Sequence, residues 1–442
     1  MVRSYNKNEH MSRNKNLKKN ISLSFVYKFI SMGLNFLLVP ILIRYLDNVQ
    51  YGIWLTLLSM LSWVSFTDIG LGNGLRNKLA EAFSNKKYKL AREYIATTYA
   101  ALIVIVIALY IALTILIMNL NWQRIFNTNA ESNNTLKMLI ITVMTFFLSN
   151  FVISLYNQLY YAVQKSAYTG IGQVLINLSY FIELILLKLF TKPNIIFVSV
   201  SYGISIVIPS ILLTWIFFRK YKILLPRLKD VKLKRAKDLL GLGAKFFIIQ
   251  IAVVIYFGTN NLIITQIKGP AEVGVYDTAY KLFNTVVIMF NILLAPLWSA
   301  YTEAYSRGDI IWIKKTMNKM KKLLLPETIL LILMVIFSGF IFKVWIGDKL
   351  VIPLELTVLN AVYVFIYSWT NIYVFLMNGI NNLNLQLIIS IFTCIVNIPL
   401  CFYFGKTLGM GSSGIMIAQI VTAIPGAILY PISTRKILKN EI

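Results

Sequence analysis

The residues of this sequence that could do chemistry are charged and amide side chains set inside long apolar runs. Lys28 stands about a third of the way along the first such run, on one helical face with Ser24, Ser31 and Asn35. A charge at mid-membrane costs roughly 2.5–3.5 kcal/mol on insertion scales, so its retention asks for a reason. One reading is capture of a phosphate by a compact ammonium. The other is snorkelling to the inner headgroups. Lys245 occupies a similar position near the start of the seventh run, and the same two readings apply. Arg44, at the far end of the first run, suits the outer headgroups. Asp277 and Lys281 are spaced i, i+4 and can pair, which lowers the burial cost of both. They form either an internal structural pair or a switch that opens when a substrate phosphate takes Lys281. Glu183 has no basic residue within four positions. It is either a carboxylate that couples transport to a proton or cation, or one partnered from another helix.

Neutral polar residues form stripes of the same kind. Asn150, Ser154, Asn157 and Tyr161 share one face of the fourth run. Asp277, Lys281, Asn284 and Asn291 share a face of the eighth, and Asn360, Tyr367, Asn371 and Asn378 a face of the tenth, with Tyr363 alongside. A helix that faces lipid needs no such residues, so together the stripes point to a shared polar cavity. Asn, Tyr and Ser suit sugar hydroxyls and would equally suit water. Taken one at a time, each stripe has a competing reading as glue between helices.

Several chemistries are excluded. His10 is the single histidine and lies in a polar leader, so a histidine metal site or triad is impossible. Cys394 and Cys401 sit inside one apolar run and form neither a disulfide framework nor a zinc spacing. Gly70, Gly72 and Gly74 follow a membrane helix instead of a strand and lack the dinucleotide spacing. The segment Gly409–Gly414 lacks the lysine of a phosphate loop. No cofactor is expected. With no ATPase motif, energy must come from a gradient or from substrate concentration. Asp68 and Arg76 flank the glycine run, either as an inner gate or as an ordinary helix stop.

The elements that position these residues are membrane helices. The chain of 442 residues is 58% hydrophobic, with mean hydropathy +0.70. The apolar excess falls in blocks of about 20 residues, enough to cross roughly 30 Å of hydrocarbon. Twelve spans are predicted: 21–46, 51–70, 95–118, 136–160, 168–190, 195–218, 242–266, 275–300, 323–346, 352–378, 384–404 and 412–431. The formal charge is +26, from 43 basic and 17 acidic residues. With the N-terminus in the cytoplasm, 31 lysines and arginines fall in inside segments and 7 in outside segments. That bias places both termini in the cytoplasm and supports an even helix count. It also explains the basic composition without nucleic acid. The N-terminal apolar run is too long for a cleaved signal peptide and reads as a retained helix.

Short matches point to an internal repeat that divides the chain, the competing reading being chance matching among low-complexity apolar residues. Gly52-Ile53-Trp54 and Gly274-Val275-Tyr276 open the second and eighth blocks, and Glu81-Ala82-Phe83-Ser84 and Glu303-Ala304-Tyr305-Ser306 follow them. Both pairs are offset by 222 residues, half the chain. The expected architecture is all-α: two parallel-repeat six-helix bundles around a central cavity. Its parts are a basic N-terminus (1–20), a first bundle (21–218), a basic linker (219–241), a second bundle (242–431) and a C-terminus (432–442).

The run Tyr51-Gly52-Ile53-Trp54, then Asp68-Ile69-Gly70-Leu71-Gly72-Asn73-Gly74-Leu75-Arg76-Asn77, then Glu81-Ala82 resembles O-antigen flippases. These are Wzx-type transporters of the multidrug/oligosaccharidyl-lipid/polysaccharide superfamily. The twelve-helix, two-bundle plan covers essentially the whole chain and is shared with drug exporters of that superfamily. The resemblance implies transfer of undecaprenyl-diphosphate-linked repeat units from the cytoplasmic to the periplasmic leaflet of a bacterial inner membrane, by alternating access. It also implies a cationic cavity, which Lys28, Lys245 and Lys281 could supply. The partners expected are the lipid-linked oligosaccharide, membrane lipids, a proton or sodium ion, a polysaccharide polymerase and a chain-length regulator.

A cation-coupled drug or metabolite exporter is the alternative. It would want acidic residues in its cavity, whereas basic candidates outnumber acidic ones here. A membrane enzyme would need a large external loop or a soluble domain. The longest outside segment is roughly 119–135 and the longest inside segment about 23 residues.

Overall fold

The computed structural model describes residues 23, 26–63, 71–163, 165–240, 251, 255–306, 308–380 and 382–440. Among these, every regular element is helical. The principal helices are α1 (Val26–Tyr45), α2 (Asn48–Ser62), α3 (Leu71–Ser84), α4 (Tyr88–Asn119), α5 (Asn133–Ile153), α6 (Tyr156–Ala162), α7 (Ala167–Phe190), α8 (Ile195–Lys220) and α9 (Leu233–Leu240). They continue with α10 (Asn260–Lys268), α11 (Pro270–Ser306), α12 (Ile310–Ile336), α13 (Ser338–Ile346), α14 (Leu354–Gly379), α15 (Asn384–Phe402) and α16 (Gly411–Asn440).

Each of the twelve predicted spans coincides with at least one helix. Eight described helices are long and apolar enough to cross a membrane, and α12 with α13 make a ninth span bent by 68°. The helices start where the sequence offers a cap. Asp47, Ser132, Asn194 and Asp309 each accept a backbone N–H of the first turn, at 2.7–3.1 Å. Gly269 closes α10 at φ 87°, a conformation that disfavours any side chain, and Pro270 opens α11 where a missing N–H costs nothing.

By contacts the chain divides into two compact units. The first comprises residues 1–46, 64–124 and 129–244, and the second 47–63, 125–128 and 245–442. The expected contiguous bundles are therefore interrupted: α2, in the second apolar block, groups with the second unit.

In the first unit, α1 is tied to α7 at two levels. Asn177 donates to the hydroxyl of Ser31 at 2.7 Å and to its carbonyl at 3.0 Å, and the Tyr45 hydroxyl meets Thr191 at 2.7 Å. The aliphatic core gathers the ends of α3, α4, α6 and α8 around Leu75, Ile95, Leu159 and Phe217, all fully buried. The Tyr160 and Tyr168 rings stack there at 4.6 Å. Further along α4, Val104, Ile107, Ile111 and Ile115 are exposed on one face, the pattern of a lipid-facing helix. The basic stretch after α8 is folded onto α4. Arg92 pairs with the buried Asp230 at 2.6 Å, Arg235 pairs with Glu93 at 3.0 Å, and Lys232 N–H donates to Thr97 at 3.0 Å. The hydrogen bond to the Glu93 carboxylate raises the pKa of Arg235 above its ordinary value.

In the second unit, α2 packs along α11 and crosses α10. The contact is made by the glycines of the repeat. A Cβ on Gly52 would fall 1.6 Å from the Pro270 carbonyl oxygen, and one on Gly274 would fall 3.0 Å from the Tyr51 ring. Beside it, the Thr56 and Thr265 hydroxyls meet at 2.8 Å. The two copies of the repeat thus lie on helices that touch each other. The core of this unit joins α11, α12, α14 and α16 through Leu294, Tyr301, Ile313, Ile372 and Met377.

Candidate functional site

The second unit contains a cavity of about 180 Å³ between Tyr256 and Phe257, just before α10, and helices α14, α15 and α16. Its polar lining includes Tyr256, Tyr363, Tyr367, Asn371, Gln386 and Thr422, and among the described residues no Asp, Glu, Lys or Arg lines it. The Tyr256 hydroxyl donates to the Gln419 carbonyl at 3.2 Å. Behind it, Tyr276 donates to the Gln419 side chain at 3.3 Å and Asn260 donates to Tyr276 at 3.3 Å. Thr422 donates to Asn397 at 3.4 Å. Five buried polar atoms in this network have no hydrogen-bond partner among the described residues: Asn260 Oδ1, the Tyr363 hydroxyl, Gln386 Oε1, Asn397 Nδ2 and Gln419 Nε2. Buried polar groups are ordinarily satisfied, so these suit water or a hydroxyl-bearing ligand. The chemistry on offer is neutral hydrogen bonding with aromatic faces, of which Tyr363 and Tyr367 lie 5.9 Å apart.

Of the residues singled out from sequence, Tyr363, Tyr367 and Asn371 line this cavity. Asn371 also donates to Asn291 at 2.9 Å, which joins the stripes of α11 and α14. Lys281 and Asp277 do pair, at 2.6 Å, with side-chain exposures of 38% and 15%. The Tyr51 hydroxyl lies close enough to Lys281 to share its field. Asn284 is half-buried one turn further along α11, and Lys281 is outside the cavity lining. In the first unit, Lys28 is exposed. Asn35 is exposed and turns back to donate to the Ser31 carbonyl at 3.1 Å. Ser31 itself is glue between helices. Asn157 donates to the Ser154 carbonyl at 3.1 Å, where the fourth apolar block breaks into α5 and α6. Arg76 is exposed, with its guanidinium 4.6 Å from the centre of the Tyr161 ring. Glu183 accepts from Ser179 at 2.8 Å, and the Ser201 hydroxyl of α8 also reaches it. Its partners are hydroxyls, not a cation. Lys245 and Asp68 lie outside the described residues.

One carboxylate was overlooked. Glu327, within the predicted span 323–346, is 7% exposed on α12, and neither carboxylate oxygen has a hydrogen-bond partner. The buried Ser368 hydroxyl of α14 lies beside it, within reach of the carboxylate. The signal was available: it is the same lone acid in an apolar run that drew attention to Glu183.

Residues 17–301, well over half of the chain, match the family model described as polysaccharide biosynthesis protein. The chain belongs to this family. Within the polysaccharide biosynthesis family, a Salmonella typhimurium protein named "Putative O-antigen transporter" is 24% identical over 90% of this chain and 91% of its own length. A Yersinia pseudotuberculosis protein whose name assigns it to O-antigen export is 22% identical over 80% and 82%. These matches bear out the resemblance carried by the Tyr51–Trp54 and Asp68–Asn77 runs. Among solved structures, an inward-facing multidrug resistance MATE family transporter of the MOP superfamily matches 94% of the chain and 99% of its own. The TM-score is 0.78 and the identity 15%. A MOP superfamily transporter from Pyrococcus furiosus matches 96% of both chains with TM-score 0.68 and 14% identity. At such identities the likeness establishes the fold: an all-α, multi-pass membrane architecture of about twelve transmembrane helices.

Proposed function

We propose that this protein carries undecaprenyl-diphosphate-linked oligosaccharide repeat units from the cytoplasmic to the periplasmic leaflet of a bacterial inner membrane, by alternating access. The family match and the names of the relatives support the substrate class. The observation in the molecule that carries the reading is Lys281. It is an ammonium in the interior of a 37-residue helix, over a third exposed, and held by one carboxylate. A diphosphate can replace Asp277 as its partner, which gives the site a charged state for loading and a neutralised state for return. Neutral amides and phenols such as Asn284, Tyr367 and Asn371 accept hydroxyl-rich sugars of varied sequence. The polyprenyl tail needs no protein cavity, because it remains in lipid while the head crosses. Lys28 and Lys245 are the further cations assigned to the diphosphate. Glu183 and Glu327 are the carboxylates through which a proton or sodium gradient would act. The bilayer orientation, with both termini cytoplasmic, follows from the charge bias. A polymerase and a chain-length regulator act on the product outside.

The test is display of surface polysaccharide in cells whose own flippase is deleted. Lys28→Ala combined with Lys281→Ala should abolish most display while the protein remains in the membrane at normal abundance. Normal display in that double variant removes phosphate capture by these lysines. A drug-susceptibility panel in a pump-deficient host should show no protection; clear protection would favour a drug exporter instead.

A further inference from the structure

At the other end of the second unit from the α10–α11 turn, three basic side chains surround a second cavity. It has a volume of about 320 Å³ and is lined by Lys314, Asn318 and Lys321 of α12, Tyr373 of α14, and Thr434 and Arg435 of α16. Lys314, Asn318 and Lys321 lie at i, i+4 and i+7, on one helical face. The Lys321 ammonium stands 5.5 Å from the centre of the Tyr373 ring, and it feels the charge of Arg435. None of the three cations takes part in an ion pair among the described residues. Three like charges brought to one cavity, with no carboxylate among its described lining residues, repel one another, and an anion placed between them turns that repulsion into attraction.

A second observation points to a ligand. The Thr434 hydroxyl lines the cavity, is 3% exposed and has no hydrogen-bond partner. Asn318 offers a neutral donor beside it. A tetrahedral oxyanion satisfies all of these at once: two or three ammonium and guanidinium contacts, one hydroxyl and one amide.

We propose that this cavity is a binding site for the headgroup phosphate of an anionic phospholipid in the inner leaflet, gripping α12, α14 and α16 together. The three helices end here in the inside segments 301–322 and 432–442 and at the short 379–383 turn, where the charge bias puts the inner headgroups. Leu325 and Ile329, one and two turns further along α12, are exposed apolar residues that would meet the acyl chains of a lipid held by its headgroup. The site is separate from Lys281 and from the neutral cavity, and it does not depend on what the transporter carries.

The experiment uses the purified full-length protein in neutral detergent, titrated with phosphatidylglycerol and followed by native mass spectrometry and thermal stability. The wild type should retain one phosphatidylglycerol and melt higher with it, and phosphatidylcholine should do neither. In the double variant Lys321→Ala/Arg435→Ala, apparent affinity should fall about 30-fold, a factor of about five for each basic side chain removed. The charge-matched control is Lys319→Ala/Lys322→Ala, whose exposed lysines lie outside the cavity lining. It should bind as the wild type does. Thr434→Val keeps size and removes only the hydroxyl, so it should weaken binding severalfold without altering the lipid-free melting temperature. Equal losses in the two double variants would mean a diffuse surface charge and overturn the site. Full stabilisation by inorganic phosphate alone, or preference for a polyprenyl diphosphate over phosphatidylglycerol, would overturn the phospholipid assignment.

Discussion

Replacing Gly52 by alanine tests whether the contact between the two repeat copies holds the second unit together. The new methyl carbon would sit 1.6 Å from the Pro270 carbonyl oxygen, where real contacts essentially never fall below 3.0 Å, so α2 and α11 must part by at least about 1.4 Å. A carbonyl in a helix start cannot rotate away as a side chain could. Overpacking of this kind costs typically 1–3 kcal/mol. Parting the helices also stretches the 2.8 Å contact between Thr56 and Thr265 beyond hydrogen-bond range, worth about 0.5–1.5 kcal/mol. The total is about 2–4 kcal/mol. At roughly 2.1 cal/mol/K per residue, that lowers the melting temperature by about 2–4 °C if all 442 residues unfold together. The assay is thermal unfolding of the purified protein in detergent, with two companions. Gly274→Ala, which meets only the edge of the Tyr51 ring at 3.0 Å, should cost about 1 kcal/mol. Gly339→Ala, with nothing within 4 Å, should be neutral or slightly stabilising. Wild-type melting in Gly52→Ala, or an equal loss in Gly339→Ala, refutes the argument.

Three other outcomes are expected. Asp230→Ala leaves Arg92 partly buried without its partner and should destabilise by about 2–4 kcal/mol, read as early unfolding in detergent; the paired variant Arg92→Leu/Asp230→Leu should recover much of it. Glu327→Gln keeps the shape of a carboxylate with no hydrogen-bond partner, so it should leave stability unchanged. If this acid couples a gradient, the same variant should flatten the pH dependence of polysaccharide display; a pH profile identical to wild type counts against it, and Glu183→Gln is judged the same way. Asn177→Leu removes both bonds to Ser31 and should loosen α1 from α7 by about 1–2 kcal/mol, detectable as faster hydrogen exchange in residues 26–36, while Asn35→Leu should have little effect.

The helices were legible because hydropathy reports the solvent around each block, and in a membrane that signal is strong. All twelve blocks carry helix among the described residues; the ninth is bent at Phe337 and the fourth is interrupted at Ser154–Leu155. The amphipathic helices α3 and α9 lay in segments read only as charged connections, because their short length gives periodicity little to work on. Assigning polar stripes to roles was harder. The stripe of α1 splits: Ser31 is buried against Asn177, while Lys28 is exposed. Spacing on one helix cannot tell which of its polar residues meets another helix. The Asp277–Lys281 pair was readable, since both partners sit on one element. The Lys321–Arg435 cluster was not, because its members come from helices more than a hundred residues apart and each alone looks like an ordinary inside charge.

The grouping of α2 with the second unit has a consequence for motion. The backbone crosses from one unit to the other five times, at 46/47, 63/64, 124/125, 128/129 and 244/245. No one joint can therefore serve as the pivot of a transport cycle. Any rocking must be shared among small torsions at all five junctions. Cutting the polypeptide at the last of them would leave a first piece that still carries residues 47–63 and 125–128 of the second unit.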